Sequence, residues 1–326
     1  MNKKVVVFGG GTGMSFLLKG LKEYPLDITA VVSVCDDGGS TGILRDEFNM
    51  LAVGDIRKVL VALSSKEGEF EKLLNYRFSS DGTLNKHTVG NILLTAQTEI
   101  SGSIQKAIET LGNILNLKGK VMPFTEDNVK LIAKMNDNSI IEGEHFITQS
   151  PKKIKKVYYE KEPNINKELI EEILDADLIV LSMGSLFTSV IPNLLSNAIR
   201  KAIDKSKGKI VYCCNLFTQP GETDDYKVSD HIKTLNSYLG KRKIEYVIAN
   251  NGNINSELAS KYSTLEQKDP IKLDKDNIKK LNVKLIEDDL VIETNLNNNT
   301  VFRHNYLKLG FLLNVLALGY DYMLKK

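Results

Sequence analysis

The N-terminal residues contain the pattern that most restricts the fold. Val5–Phe8 is a short, continuous apolar run, and Gly9–Gly13 follows it directly. Apolar side chains in Ser15–Lys22 then recur at helical spacing, and Ile28–Val34 is a second apolar run. A strand, a glycine turn, a helix and a strand within about thirty residues form a βαβ unit, which implies parallel strands and a right-handed crossover. The segment therefore predicts an α/β fold with strands covered on both faces.

The same alternation returns in the second half of the chain. Leu178–Ser182, Lys209–Asn215 and Ile244–Asn250 predict strands of the same sheet, and Ile191–Ile203 and Asp230–Gly240 predict the helices that separate them. Because β and α segments alternate at both ends, we predict one α/β domain over 1–326 with a mainly parallel sheet.

The alternation weakens in the middle of the chain and again before the C-terminus. Short β-prone pieces joined by polar turns predict a β-rich insertion at about 118–162, and a second β-rich segment is predicted at about 270–303. The remaining predicted helices are Ile56–Leu63, Phe70–Phe78, Asn91–Leu111 and Leu307–Tyr320.

Composition excludes several classes of protein. Forty-three Lys and Arg residues balance 41 Asp and Glu residues, so a nucleic-acid surface is not expected. Three cysteines cannot form a disulfide framework, which favours a reducing compartment. The apolar run Leu307–Tyr320 is too short to span a membrane. We expect a cytoplasmic protein without a membrane span, in which this helix could lie in the core or in a homodimer interface.

Five predicted strands end in glycines and small polar residues. The carboxyl ends of parallel strands lie along one edge of the sheet, where ligands of open α/β folds bind. We therefore expect these strand ends to converge on one binding crevice. They are Gly9–Gly13, Asp36–Gly42, Ser182–Ser189, Asn215–Thr218 and Asn250–Gly252.

The first of these turns is typical of an anion site. Gly10, Gly11 and Gly13 would let backbone N–H groups approach a phosphate at a helix N-terminus, and Thr12 adds a hydroxyl donor. Met14 stands where the dinucleotide fingerprint requires glycine, and no P-loop lysine follows. The alternative is a tight turn without a ligand, but four glycines in five residues exceed what a turn needs.

The second strand ends in two acids before a glycine-rich bend. Asp36 and Asp37 could bind Mg²⁺ or a sugar hydroxyl, and Ser40 could either bind phosphate or cap the next helix. Asp36, Asp37 and His87 are the catalytic candidates, although a loop histidine is more often structural. Mg²⁺ is the one cofactor that these residues suggest.

The later strand ends offer hydroxyl, amide and guanidinium groups that could hold a second phosphate, a base edge or a diphosphate. The alternative for each is ordinary turn chemistry or, for the arginine, an exposed side chain. These candidates are Gly184, Ser185, Thr188, Asn193, Asn215, Thr218 and Arg303.

In this order the motifs resemble one family, the bacterial gluconeogenesis factor (morphogenesis) proteins of the 2-phospho-L-lactate transferase-like superfamily. The resemblance covers nearly the whole chain. It rests on Val7–Gly13, Val32–Gly42, Gly54–Arg57, His87–Asn91, Gly184–Ser189 and Asn215–Thr223.

The resemblance implies a Rossmann-like three-layer sandwich that binds a uridine diphospho-sugar such as UDP-N-acetylglucosamine. It also implies roles in gluconeogenic growth and cell shape, with cell-wall-synthesis proteins as partners. The transferase relatives imply Mg²⁺ and a nucleoside diphosphate-activated substrate. By matching motif, Asp36 and Asp37 would form the metal or sugar side. The nucleotide diphosphate would be held by Gly10–Gly13, Ser40, Ser185–Thr188, Asn215 and Arg303.

Two functions therefore compete. A nucleotide-sugar-binding regulator without turnover fits the anion-holding loops and the lack of an obvious base–nucleophile pair. A Mg²⁺-dependent transferase fits the two acids beside a phosphate loop. A nicotinamide dehydrogenase is disfavoured by Met14, and a scaffold would not need glycines at strand ends.

Overall fold

The computed structural model describes residues 2–66, 68–296 and 299–324. Its strands are β1 (Lys3–Gly9), β2 (Leu26–Val32), β3 (Lys120–Pro123), β4 (Leu131–Met135), β5 (Ile140–Glu142), β6 (Ile154–Tyr159), β7 (Leu178–Leu181), β8 (Lys209–Cys213), β9 (Tyr246–Asn250), β10 (Lys284–Asp288), β11 (Val291–Leu296) and β12 (Asn299–His304). Its helices are α1 (Thr12–Leu21), α2 (Gly39–Phe48), α3 (Gly54–Leu63), α4 (Glu69–Asn75), α5 (Val89–Ser101), α6 (Ile104–Leu115), α7 (Glu144–Gln149), α8 (Lys167–Leu174), α9 (Asn197–Lys205), α10 (Val228–Tyr238), α11 (Ser256–Glu266), α12 (Lys275–Lys280) and α13 (Tyr306–Ala317). A π-helical turn (Leu186–Val190) leads into a 3-10 turn (Ile191–Leu194), and another 3-10 turn covers Asp321–Leu324.

The central sheet is parallel and has the order β10-β9-β8-β7-β1-β2-β3. From β1 the chain builds outward to β3 on one side, then returns to place β7 on the other side of β1. Sheets of this kind bind ligands at the point where the strand order reverses, outside the carboxyl ends of the strands. The predicted Rossmann-like α/β fold with a mainly parallel sheet is confirmed.

Strand β1 shows how the layers form. Val5 and Val7 belong to one buried cluster, which includes side chains of α1, α3 and α13. Val6 and Phe8 belong to a second cluster, which includes side chains of α8, α9 and α10. Alternate residues of a strand point to opposite faces, so helices on both sides of the sheet bury a continuous apolar run.

The predicted C-terminal helix packs against α1. A Cβ on Gly20 would lie 1.9 Å from the backbone oxygen of Tyr306, so the two helices touch where glycine leaves room. Leu309 and Leu313 are buried in the core, while Leu307 and Phe311 are half exposed. In this chain, then, one face of α13 is core, and its other face is exposed.

Two predicted helices are interrupted. The helix predicted over Asn91–Leu111 is divided between α5 and α6, because Gly102 has a φ of +70° and Ser103 caps the second helix. The helix predicted over Ile191–Ile203 begins only at Asn197. The 3-10 turn that contains Pro192 precedes it, since proline lacks the N–H that a helix interior requires.

The two β-rich segments are only partly separate from the main sheet. Lys120–Pro123, predicted as part of the insertion, is edge strand β3 and pairs with β2, so the antiparallel sheet β5-β4-β6 begins later, at Leu131. In the second segment β10 pairs with β9 in parallel, and β11 and β12 form a hairpin. The sequence of a short apolar run does not indicate which other strand it will pair with.

Among the described residues, no helix is long and apolar enough to cross a membrane.

Candidate functional site

A cleft of about 500 Å³ opens at the carboxyl ends of β1 and β7, at the switch point of the sheet. The turns that follow these two strands meet there. A Cβ on Gly13 would lie only 2.1 Å from the carbonyl oxygen of Met183, a distance that no side chain permits. The two turns can therefore pack this closely only because residue 13 is glycine.

The turn after β1 presents backbone N–H groups to the cleft. Gly11 is the N-cap of α1 and makes no side-chain capping hydrogen bond, so the first amides of the helix are not satisfied by a cap. A Cβ on Gly11 would lie 2.1 Å from Asp55 Oδ1, which would close this approach. The positive end of α1, with Thr12 beside it, therefore faces the cleft.

The turn after β7 is held open by Asn215. Its side-chain amide donates to the backbone oxygen of Gly184 at 2.7 Å, and its Oδ1 accepts from the Gly184 N–H at 2.9 Å. Ser185 Oγ then accepts the N–H of Thr188 at 3.1 Å and caps the π-helical turn. We call Gly10–Gly13 and Gly184–Thr188 together the amide wall of the cleft.

Carboxylates also line the cleft, and two of them lie close to the amide wall: Asp55 beside Gly11, and Glu144 beside Thr188. Asp36, Asp55 and Glu144, which we call the carboxylate wall, all line the cleft, and Lys58 donates to Asp55 at 2.9 Å. Burial raises the pKa of Asp36, and repulsion by Asp55 adds to the shift. Burial also raises the pKa of Glu144 to about 7, and Asp36 contributes in the same direction.

Four of the predicted site residues lie outside the cleft lining. Asp37 Oδ1 accepts the backbone N–H of His145 at 2.7 Å, so this acid connects the main fold to the insertion. Ser40 and His87 bond to each other at 2.9 Å, with His87 buried. Asn193, fully buried, donates to the backbone oxygen of Gly9 at 3.2 Å and so supports the first turn from below. The remaining predicted residues line the cleft: Asp36, Gly10, Gly11, Thr12, Gly13, Gly184, Ser185, Thr188, Asn215, Thr218 and Arg303.

The predicted metal site consists of two adjacent acids, and their carboxylates diverge. Asp36 Oδ1 accepts from Gly38 N–H, whereas Asp37 faces His145 and lies 3.7 Å from Arg45. Among residues 2–66, 68–296 and 299–324, no group of three His, Cys, Asp or Glu side chains could hold a metal ion. A Mg²⁺ ion shared with substrate phosphates needs only one or two carboxylates, and Asp36 is the predicted acid that faces the cleft.

An aromatic cluster closes one end of the cleft. The rings of Phe217 and Phe302 stack with centroids 5.2 Å apart, and Tyr262 stacks on Phe217 at 5.1 Å. Arg303 lies over the ring of Phe16 at 5.6 Å, and no carboxylate of the described residues lies within 4.0 Å of its guanidinium. Arg303 thus lines the cleft as a cation without a carboxylate partner in the described part of the chain, and its Nη1 donates to the backbone oxygen of Phe302 at 2.9 Å.

Two buried polar atoms at the cleft have no hydrogen-bond partner. They are the hydroxyl of Ser33 and Oε1 of Gln219, and both residues line the cleft. Buried polar groups in folded proteins are nearly always paired, so unpaired ones beside a cavity point to a polar ligand or water.

Sequence reasoning missed the acids Asp55 and Glu144 and the cation Lys58. In the sequence Asp55 has the features of an ordinary helix cap, and Glu144 lies on the insertion, far along the chain from the other cleft residues. Only the packing of α7 against the turn after β7 brings Glu144 Oε1 to within 3.1 Å of Thr188 Oγ1. The three aromatic residues were missed for the same reason, since they come from three separate segments.

Comparison with known proteins agrees with the fold and the motifs. The chain is 41% identical over 311 residues to the gluconeogenesis factor of Bacillus subtilis, an alignment that covers 95% of this chain and 96% of that protein. It is 42% identical over 309 residues to the gluconeogenesis factor of Halalkalibacterium halodurans, covering 94% of each. The crystal structure of a UPF0052 family protein from Bacillus halodurans superposes with a TM-score of 0.91 at 41% identity, covering 95% of this chain and 98% of that one.

The resemblance inferred from the motifs is thus confirmed. The family profile of 2-phospho-L-lactate transferase CofD matches residues 5–291, a range that contains both walls of the cleft. This chain therefore belongs to the CofD family.

Proposed function

We propose that this protein binds a nucleoside diphosphate-sugar, of the UDP-N-acetylglucosamine type, in the cleft between β1 and β7. The observation that carries the proposal is the meeting of two strand-to-helix turns, fixed by the contact of Gly13 with Met183. The turn after β1 presents the first amides of α1, the turn after β7 presents the hydroxyls of Ser185 and Thr188, and a pyrophosphate has two phosphate groups to place.

The charges of the cleft support the same ligand. Arg303 is an unpaired guanidinium at the cleft, suited to bidentate contact with a diphosphate. The carboxylate wall would repel a bare phosphate, so the phosphates belong on the amide wall and the hydroxyls of a sugar belong near the acids. Carboxylates accept hydrogen bonds from sugar hydroxyls readily.

The base would lie toward the aromatic cluster. Thr218 and Gln219 line the cleft there and offer hydroxyl and amide groups, and the buried Oε1 of Gln219 has no partner in the protein. An N–H of a base such as uracil would supply that partner, while Phe217 offers an apolar surface.

Calorimetry with UDP-N-acetylglucosamine tests the proposal. We expect saturable binding by the full-length protein, abolished in Gly13→Ala and weakened in Arg303→Ala. UDP, N-acetylglucosamine and NAD measured in parallel identify the part of the ligand that is recognised. Absence of both heat and a thermal shift at millimolar concentrations of UDP-N-acetylglucosamine would reject the proposal.

A Mg²⁺-dependent transferase is the second candidate, favoured by Asp36 lying in the same cleft as the amide wall. Mg²⁺ bound between this carboxylate and the phosphates would neutralise charge on a leaving nucleotide. It predicts release of nucleotide from an activated substrate only when Mg²⁺ and an acceptor are present, and loss of that release in Asp36→Asn. Unchanged release in that variant would exclude it.

The relatives described above are named gluconeogenesis factors, which supports a role in gluconeogenic growth. We propose that this protein acts in the cytoplasm. Its occupancy by the ligand would couple the supply of cell-wall precursors to growth on gluconeogenic carbon sources and to cell shape. A deletion strain complemented with Arg303→Ala tests this, because loss of ligand binding should leave the growth and shape defects uncorrected.

A further inference from the structure

Lys58 lies against the glycine turn that follows β1. If Gly11 carried a Cβ, that atom would lie 2.7 Å from the Cδ atom of Lys58 and 2.1 Å from Asp55 Oδ1. Lys58 Nζ donates to the same Oδ1 at 2.9 Å. The stem of the lysine therefore packs on the bare backbone of the turn, and its ammonium group lies near the N-terminus of α1.

The position of this lysine in space differs from its position in the sequence. In a P-loop, a lysine follows the glycine-rich turn directly and reaches the phosphates that the backbone amides bind. In this chain Met14 and Ser15 follow Gly13 instead. Helix α3 begins at Gly54 and brings Lys58 to the turn from another part of the chain. A lysine thus meets the glycine turn although none follows it in sequence.

Asp55 and Lys58 differ from an ordinary ion pair on a helix surface. Both line the cleft, and their side chains are 14% and 35% exposed. Glu69 and Lys72 form a pair with the same spacing on α4, but their side chains are 89% and 74% exposed. A pair that open to water interacts weakly. The charges of the pair on α3 are less screened and act on a ligand in the cleft.

The acid of this pair needs a nearby cation when a phosphate occupies the turn. Asp55 Oδ2 would lie 2.9 Å from a Cβ on Gly10, so both carboxylate oxygens adjoin the turn. A phosphate at the first amides of α1 would meet this negative charge at short range, where like charges repel in a partly buried site. Lys58 can offset the repulsion, because it already contacts the acid.

We propose that Lys58 binds a phosphate group of the ligand at the glycine turn, and that Asp55 holds the lysine in place for it. An ammonium group has three hydrogens to donate. Asp55 is the one hydrogen-bond acceptor of Lys58 Nζ among the described residues, so the other hydrogens can go to phosphate oxygens. The assignment rests on the proposed function in so far as the phosphate belongs to a nucleoside diphosphate-sugar.

A double-mutant cycle separates direct binding of phosphate from neutralisation of Asp55. The variants are Lys58→Met, Asp55→Asn and the two combined. Calorimetry without divalent cations gives Kd for inorganic pyrophosphate and for UDP-N-acetylglucosamine. Lys58→Met should raise both Kd values about 100-fold, since it removes a donor and leaves the Asp55 charge beside the phosphate.

The effect of the same substitution in the Asp55→Asn background decides between the two roles. There Lys58→Met should still raise Kd about tenfold, because the phosphate loses a charged donor. Equal Kd values for Asp55→Asn and the double variant would overturn the proposal, since Lys58 would then act only by neutralising Asp55. Methionine keeps an unbranched stem and favours a helix, so the variants should stay folded, which circular dichroism and urea unfolding measure.

Lys72→Met is the matched control, because it makes the same change in the exposed pair on α4. Its Kd for pyrophosphate should stay within about twofold of the parent at physiological salt. If Lys72→Met and Lys58→Met weakened binding equally, net charge would account for the loss and the proposed contact would be wrong.

The two ligands distinguish this proposal from the proposed function. Binding of pyrophosphate that depends on Lys58, without binding of UDP-N-acetylglucosamine, would reject the proposed function and leave the assignment of Lys58 standing. Binding of UDP-N-acetylglucosamine with the same Kd in Asp55→Asn and in the double variant would overturn the assignment of Lys58 and leave the proposed function standing.

Discussion

The two walls of the cleft are built from different groups. The amide wall depends on the near absence of side chains, as the contact between Gly13 and Met183 shows. In the carboxylate wall, burial raises the pKa of Asp36 and Glu144. Adding a side chain should therefore disturb the first wall, whereas a change of pH should act on the second. Experiments can separate the two effects.

Gly13→Ala is the change with the largest expected effect. The added methyl group would meet the carbonyl oxygen of Met183 at 2.1 Å, and we expect a loss of about 3 kcal/mol in the free energy of unfolding. Alanine is otherwise favoured over glycine in a helix, so helix propensity works against this loss. Urea unfolding followed by circular dichroism measures it.

Gly82→Ala is the matched control, because nothing lies within 4 Å of a Cβ there. Its free energy of unfolding should stay within about 0.5 kcal/mol of the parent. If the two variants were equally stable, the two turns would not meet as described.

Glu144→Gln separates the walls by pH. The pKa of Glu144 is raised to about 7 in the folded protein, against about 4.3 for an unperturbed glutamate. Between these values the folded protein binds more protons than the unfolded chain, so parental stability falls as pH rises and levels off above 7. The variant should therefore be more stable than the parent by up to about 3 kcal/mol at pH 8, with the advantage vanishing near pH 4.

Thermal and urea unfolding at pH 4, 6 and 8 measure this effect. Glu142→Gln, on the exposed strand β5 of the same insertion, is the control and should show differences below about 0.5 kcal/mol at each pH. A stability advantage of Glu144→Gln that grew toward low pH would contradict a raised pKa at this position.

Arg303→Ala should weaken ligand binding while leaving the fold intact. The guanidinium has no carboxylate within 4.0 Å in the described part of the chain, so its removal leaves no carboxylate without an ion-pair partner. We expect Kd for the nucleotide-sugar to rise about tenfold or more, which corresponds to about 1.4 kcal/mol. Arg303→Lys should recover part of the loss, because lysine keeps the charge but lacks the bidentate geometry.

Lys201→Ala is the control for charge alone. Lys201 is exposed on α9 and does not line the cleft, so Kd should change by less than about twofold at physiological salt. An equal loss of affinity in the two alanine variants would mean that Arg303 acts only through net charge.

The smallest expected effect distinguishes the two neighbouring acids. Asp37→Asn keeps an oxygen to accept from the His145 N–H, so we expect a cost of about 0.5–1 kcal/mol in unfolding and no change in Kd. Asp36→Asn should instead change ligand affinity, because Asp36 lines the cleft. Calorimetry of both variants decides, and a large loss of affinity in Asp37→Asn would show that this acid reaches the ligand.

Sequence patterns predicted the framework of the molecule well. β1, α1 and β2 lie within a few residues of their predicted bounds, because buried parallel strands and an amphipathic helix each leave a periodic signal. Five strand ends were predicted to converge because parallel strands end at one edge of the sheet. The ends after β1, β2, β7 and β8 contribute residues to the cleft, but Asn250–Gly252 after β9 does not line it.

What sequence could not predict depends on contacts between distant segments. Lys120–Pro123 has the composition of any short strand, and only its pairing with β2 assigns it to the main sheet. Nothing in the sequence distinguishes Glu144 from other acids, and only the packing of α7 against the turn after β7 brings it to the cleft. Asp36 and Asp37 are adjacent in sequence, yet backbone geometry sends their carboxylates to different partners.

The central claim is that the turns after β1 and β7 together hold the diphosphate. The most direct measurement is a heteronuclear NMR titration of glycine-¹⁵N-labelled protein with UDP-N-acetylglucosamine. The account predicts that the amide signals of Gly10, Gly11, Gly13 and Gly184 shift together with one Kd, while that of Gly82 stays in place. Unmoved cleft glycines under saturating ligand, with shifts elsewhere in the chain, would contradict it.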